Sequence, residues 1–336
     1  MRAVVAAEPG PDLRRAVQVR EVADPVAGPG EVLIEVTASA MCRTDLQIAA
    51  GDLPPHRAPV IPGHQVVGRV VDGPAERIGQ RVGLCWLAGS CGACRFCRTG
   101  RENLCPQAQF TGYDVDGGWA ELVRARADFA VPLPTGPGEA GTAEDAALAP
   151  LLCGGVIGYR SLRRAGIGPS SAGARLGLYG FGASASLALQ VARHWGVACH
   201  VITRSDVEAD RARELGAAWA GTYDQAMPGP MDAAITFAPA GWVVVRALQD
   251  LERGGVVAIN AIHLDPIGPI DYGDLWWERE IRSVANVTRS DVAQFLALVG
   301  PAGVRTAYEV LPLADAAVGL QRMLDGDVRG AFVLVP

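Results

Sequence analysis

A chain of 336 residues with 49% hydrophobic and 6% aromatic content is longer than one hydrophobic core usually grows, roughly 250–300 residues, so two domains are expected. Its net charge of −6 and the lack of any basic block exclude an electrostatic footprint for nucleic acid, and no apolar run of about 18 residues free of charge or proline reads as a membrane span. All thirty basic residues are arginine, so there is no lysine to form a pyridoxal phosphate Schiff base or to serve a phosphate loop.

The start, Met1-Arg-Ala-Val-Val, runs straight into a strand-like segment and lacks the apolar core and cleavage site of a secretory signal, so a cytoplasmic location is expected. Short β-like runs at residues 3–6, 31–40, 65–71 and 81–84 are separated by loops such as Asp24-Pro-Val-Ala-Gly-Pro-Gly and read as a small β domain. After the proline- and glycine-rich residues 132–138 a helical stretch begins near Glu144, and strand and helix patterns then alternate to about residue 284. This alternation predicts parallel βαβ units, with strands at 175–179, 198–202, 231–237 and 255–260. The remaining residues return to helix and short strand and are expected to rejoin the first domain.

Eight cysteines in a cytoplasmic chain point to metal or catalysis rather than disulfides. Cys91, Cys94, Cys97 and Cys105 set four soft ligands at spacings of two, two and seven residues amid Gly, Arg and Thr, a pattern that fits no apolar strand or helix face. A closed tetrahedral zinc site that folds its lobe is expected, with an iron–sulfur cluster as the rival. Of the other cysteines, Cys42 and Cys153 lie in polar or glycine-rich text, and with His64 they offer the ligand set of a catalytic zinc with one open position. Taken alone, His64 reads first as a satisfied turn histidine and only second as a ligand.

Gly180-Phe-Gly182-Ala-Ser-Ala185 follows the strand expected at 175–179 and opens a helical run, the context that a dinucleotide-binding loop requires. Two glycines let the backbone approach a pyrophosphate, and Ala185 packs helix on strand. The next strand ends at Thr203-Arg204-Ser205, where NAD-selective enzymes place an acid for the ribose hydroxyls. Thr203 stands in that position. Arg204 and Ser205 suit a 2′-phosphate, so NADP(H) is expected over NAD(H).

Cys42-Arg-Thr-Asp-Leu46, Thr111-Gly-Tyr-Asp-Val-Asp-Gly-Gly118 and Gly180–Ala185, together with the four-cysteine lobe, resemble the zinc-containing alcohol dehydrogenases of the medium-chain dehydrogenase superfamily, in a bacterial zinc-binding branch, from end to end of the chain. The resemblance implies an α/β fold: a GroES-like β-rich catalytic domain (1–153 and 285–336) and a Rossmann doubly wound parallel-sheet domain (154–284). It implies a catalytic zinc on Cys42, His64 and Cys153, hence two Zn²⁺ per chain, and hydride transfer between a nicotinamide cofactor and a small alcohol or carbonyl substrate. Thr44 becomes the proton-relaying hydroxyl and Asp45 the residue that orients His64; read from composition alone, these two cap a helix. Leu53, Trp86 and Ile262 are expected to line the substrate pocket, with Trp86 favouring slim substrates. Two departures stand beside the zinc, Gln47 in place of a relay histidine and Gln65 in place of glutamate. The short stretch between Cys105 and Cys153 suggests a homotetramer, with a homodimer as alternative. Two other readings compete: a zinc-independent reductase of activated C=C or C=N bonds on the same scaffold, and a non-catalytic cofactor-binding protein.

Overall fold

The computed structural model describes residues 1–53, 56–134 and 142–336; of the punctuating residues 132–138, positions 135–138 lie outside the described residues. The chain divides into two compact units, one made of Met1–Cys153, Asn286–Leu296 and Arg305–Pro336, the other of Gly154–Ala285 and Ala297–Val304.

In the first unit the long strand Glu31–Ala40 alternates, with Val32, Ile34 and Val36 buried and Glu35 exposed, so its period of two turns one face to a core. Strand Gln65–Asp72 pairs antiparallel along one edge. The other edge is shared by Leu122–Arg126 and the C-terminal strand Ala331–Val335, so the end of the chain closes a sheet begun near its start. The sheet continues through Arg81–Leu84 to Val131–Pro132 on one side and through Ala331–Val335 to Tyr308–Pro312 on the other. Val32, Ile34, Val66, Val70, Val82, Leu84 and Val123 form its core. Each such buried aliphatic side chain stabilises the unit by about 1.5–3 kcal/mol.

The second unit holds six strands in the order Trp219–Thr222, Ala198–Thr203, Arg175–Tyr179, Met231–Thr236, Leu251–Ile259, Glu280–Ser283, every neighbouring pair parallel. The order reverses beside Arg175–Tyr179, the point at which a doubly wound sheet opens a crevice for a dinucleotide. The four central strands are mostly buried and apolar, as a sheet covered on both faces demands, with Asp232 and residues 252–254 exposed near the strand starts. Among the described residues, no helix is long and apolar enough to cross a membrane.

Candidate active site

All eight cysteines are free. In the lobe, the sulfurs of Cys91 and Cys97 are 3.9 Å apart, those of Cys94 and Cys97 3.5 Å, and those of Cys91 and Cys105 3.5 Å. A tetrahedron of thiolates at a metal–sulfur distance of about 2.3 Å has edges of roughly 3.8 Å, so the spacing fits zinc. Backbone N–H groups of Cys91, Cys94, Cys97 and Gln107 point at these sulfurs at 3.3–3.5 Å. Amides of Ala93 and Cys94 draw the Cys91 thiol down to about 6, and the Ser90 hydroxyl draws Cys97 below its usual range. Cys85 and Cys199, by contrast, are buried thiols pushed up to about 12 by their apolar surroundings.

Cys42, His64 and Cys153 converge with their ligand atoms within 4.8 Å of one another. Cys42 caps the helix Arg43–Ala50, and Asp45, in its first turn, accepts the Cys42 N–H at 2.8 Å, so Asp45 serves as a cap of this helix. The same carboxylate accepts from Gly63 N at 3.2 Å and from His64 Nδ1 at 3.1 Å. Asp45 and His64 are both fully buried. Fixing hydrogen on Nδ1 leaves Nε2 as the lone-pair nitrogen, which is how a carboxylate prepares a histidine for a metal. Burial by itself lowers the basicity of His64, but Asp45 and the Cys42 sulfur outweigh it and raise the imidazole to about 10. Cys42 is held well below the usual thiol range by a hydrogen bond from Cys153, with His64 adding to it, and the same contact pushes Cys153 up. A divalent cation between the two sulfurs relieves that conflict by favouring both thiolates, so the donor chemistry fits zinc here too.

The turn that carries His64 tolerates no side chain before it: Gly63 has φ +94°, and a Cβ there would meet the Trp119 ring at 2.2 Å. Gly117 and Gly118 brace this turn by donating to Ile61 O and Gly63 O at 2.7 and 2.8 Å. Asp116 accepts Ile61 N at 3.1 Å, and the Thr111 hydroxyl donates to Cys85 O at 2.7 Å. The Thr111–Gly118 motif is therefore a scaffold for His64. The Thr44 hydroxyl, also buried, lies 3.8 Å from Cys42 Sγ.

Trp86 meets His64 edge-on with ring centroids 5.0 Å apart and stacks on Phe110 at 5.1 Å and Tyr113 at 5.9 Å. This aromatic wall stands directly against the cluster. Leu53 belongs to the same unit and donates its N–H to Gln47 O at 3.1 Å. Ile262 belongs to the other unit, in the loop after Leu251–Ile259, and is 72% exposed. Gln65 is buried with its amide nitrogen donating to Ala40 O at 3.2 Å.

In the second unit Gly180 adopts φ +90° at the tip of Arg175–Tyr179 and donates to Ile202 O at 2.8 Å. Gly182 caps the helix Ala183–His194 with open space where a Cβ would stand, while Ala185 is wholly buried beneath it. Open backbone at a helix N-terminus suits a pyrophosphate. Beyond Ala198–Thr203, Arg204 extends into solvent, and Ser205 caps the helix Asp206–Glu214 by accepting Glu208 N. Glu208 reaches back to accept the Thr203 hydroxyl and to stand 3.8 Å from Arg204 Nε. Sequence reasoning missed Glu208 because it looked for an acid only at the end of the strand.

The doubly wound sheet with its glycine-rich first turn, together with a partly buried Cys-His-Cys cluster, defines a metal-dependent nicotinamide oxidoreductase. Residues 28–135 match the family "Alcohol dehydrogenase GroES-like domain". The chain is 45% identical over 322 residues to a probable alcohol dehydrogenase AdhA of Mycobacterium tuberculosis, covering 93% of this chain and 90% of that one. It is 33% identical over 339 residues to an alcohol dehydrogenase of Geobacillus stearothermophilus, covering 96% of both. Among solved structures, a cinnamyl alcohol dehydrogenase of Sorghum bicolor superposes with a TM-score of 0.86 at 26% identity, covering 99% of this chain and 97% of that one. The chain belongs to the zinc-containing alcohol dehydrogenases of the medium-chain dehydrogenase/reductase superfamily. It is an oxidoreductase of alcohols and aldehydes, and neither reduction of activated double bonds nor a non-catalytic role is favoured.

Proposed function

We propose that the enzyme holds two zinc ions, a catalytic one on Cys42, His64 and Cys153 and a structural one on Cys91, Cys94, Cys97 and Cys105, and that it uses NADP(H) in preference to NAD(H). The observation that carries this reading is the buried Asp45 carboxylate, which at 3.1 Å from Nδ1 turns Nε2 of His64 toward two cysteine sulfurs. When bound there, zinc supplies a Lewis acid for the substrate oxygen. Thr44 holds the substrate proton at Oγ1 and passes it outward. Gln47 follows one turn later; an amide does not titrate, so the proton has no ionisable station there and must leave from Thr44 by another route. Trp86 restricts the pocket to slim substrates, with Leu53 as further lining. Gly180, Gly182 and Ala185 seat the pyrophosphate, and Arg204 and Ser205 face the 2′-phosphate, with Ser205 still free to donate its hydroxyl hydrogen. A cytoplasmic homotetramer is the assembly proposed, checked by light scattering; a dimer would contradict it.

Metal analysis combined with an NADPH oxidation assay over aldehydes, enones and imines tests the reading. Two zinc ions per chain and zinc-dependent aldehyde reduction are expected. Turnover of enones or imines by protein lacking zinc at the three-residue cluster would reject it.

A further inference from the structure

We propose that Asp145, clamped between Arg81 and Thr37, is a positioning residue for Cys153 and thereby sets how tightly the catalytic zinc is held. The inference rests on the reading that Cys42, His64 and Cys153 bind that zinc. Cys42 and His64 are tied together by the single carboxylate of Asp45. Cys153 arrives from far along the chain, at the end of the 3₁₀ turn Ala149–Leu152, and its position depends on what anchors the segment before it.

That anchor is a buried ion pair. Arg81 and Asp145 are 4% and 2% exposed. Arg81 Nε donates to Asp145 Oδ1 at 2.7 Å, a second guanidinium nitrogen bonds the same oxygen, and Nη1 donates to Glu144 and to Pro134 O, each at 3.1 Å. The other carboxylate oxygen accepts the Thr37 hydroxyl at 2.5 Å. Thr37 reaches it because the ladder slips at this point: Val36 faces Gly68 and Ala38 faces the adjacent Val67, so Thr37 is the unpaired residue of a bulge, which re-aims its side chain. The hydroxyl also lies 3.1 Å from Val67 O, and its one hydrogen goes to the nearer, charged acceptor.

A second contact lies next to the ligand itself. Leu152 is fully buried, and a Cβ on Gly83 would meet its methyl carbons at 2.9 Å, so Leu152 rests directly on the backbone of Arg81–Leu84, the strand that carries Arg81. Thr37 lies on the strand that leads to Cys42, and Val67 on the strand that starts after His64. The Arg81–Asp145–Thr37 clamp thus fixes the Cys153 segment to the strand that leads to Cys42 and to Arg81–Leu84, which pairs with the strand that starts after His64, as an outer support does for a metal site.

The test compares zinc-loaded wild type, Thr37→Val and Asp145→Asn under challenge with a chromophoric chelator, with thermal stability measured in parallel. Thr37→Val keeps the ion pair and the side-chain shape, so the test stands even if Asp145→Asn does not fold. A Cys153→Ser chain assigns the phases, because it should release only the zinc of the four-cysteine lobe. In both variants the three-residue cluster should release zinc at least about tenfold faster, the lower figure for loss of an outer support, while release from the lobe stays at the wild-type rate. Acceleration of both phases together, in step with lost thermal stability, would mean a general structural role and overturn the proposal. Wild-type release rates in both variants would overturn it as well. A wild type that holds zinc only in the lobe overturns the underlying reading and the proposal with it.

Discussion

The Thr203 hydroxyl donates to the carboxylate of Glu208, across the cap of the helix Asp206–Glu214. Because the same carboxylate stands 3.8 Å from Arg204 Nε, the proposed 2′-phosphate contact has an acid beside it. A carboxylate accepts ribose hydroxyls and repels a phosphate. Glu208→Gln should therefore tighten NADPH and weaken NADH, each by roughly 1 kcal/mol, the upper end for a partly exposed charge pair. Arg204→Ala should weaken NADPH by about 1.5 kcal/mol, the low end for a charged hydrogen bond because the side chain is 83% exposed, and leave NADH nearly unchanged. Fluorescence titration with both cofactors reads the four values. Parallel shifts for NADPH and NADH would sink the NADP(H) assignment.

Trp86 is held between aromatic neighbours, so the wall it presents is stiff as well as bulky. Trp86→Ala should raise kcat/KM for branched alcohols relative to unbranched ones by roughly 10–200-fold, the range for hydrophobic pocket fit. An unchanged ratio would remove Trp86 from the pocket.

Legibility in the sequence followed locality. The strands at 31–40 and 175–179 were read with their observed bounds because alternation or an unbroken apolar run marks them. Val17–Glu21 shows one buried residue and four exposed ones, so no period betrays it, and the outermost strands of the parallel sheet, Trp219–Thr222 and Glu280–Ser283, are short and mixed. The four-cysteine lobe announced itself because all its ligands lie within one short stretch. Cys42, His64 and Cys153 are scattered, so their polar and glycine-rich contexts only suggested the set, and the resemblance strengthened it before the fold brought them together. The bulge at Thr37 is a product of tertiary geometry, which no residue pattern encodes, whereas Glu208 stands three residues after its Ser205 cap, a local pattern that the sequence does carry.

Gln65 is committed to the sheet: its amide nitrogen bonds Ala40 O in a fully enclosed position. Gln65→Glu removes that donor and sets a carboxylate against a carbonyl, which should lower stability by about 1–3 kcal/mol. The added negative charge beside His64 should also raise the pKa seen in alcohol oxidation, whereas Gln47→His should speed oxidation near neutral pH by supplying a titratable station. Thermal melts and a pH–rate series check both. Variants that trace the wild-type profile would show that neither glutamine tunes the chemistry.

The amides aimed at the lobe sulfurs stabilise thiolates whose mutual repulsion needs a cation. Cys105→Ser should therefore cost one zinc per chain and destabilise the protein broadly, as loss of a structural metal does. Unchanged thermal stability with one zinc lost would show that the lobe folds without its metal.

The central claim is that the cluster of Cys42, His64 and Cys153 holds the zinc on which hydride transfer depends. Its most direct test is zinc content and alcohol oxidation measured on the same preparation of Cys153→Ser. The expected result is a folded protein with one zinc per chain, still on the four cysteines, and activity lowered to background. Full alcohol oxidation by that variant, or two zinc ions retained with normal turnover, would contradict the account.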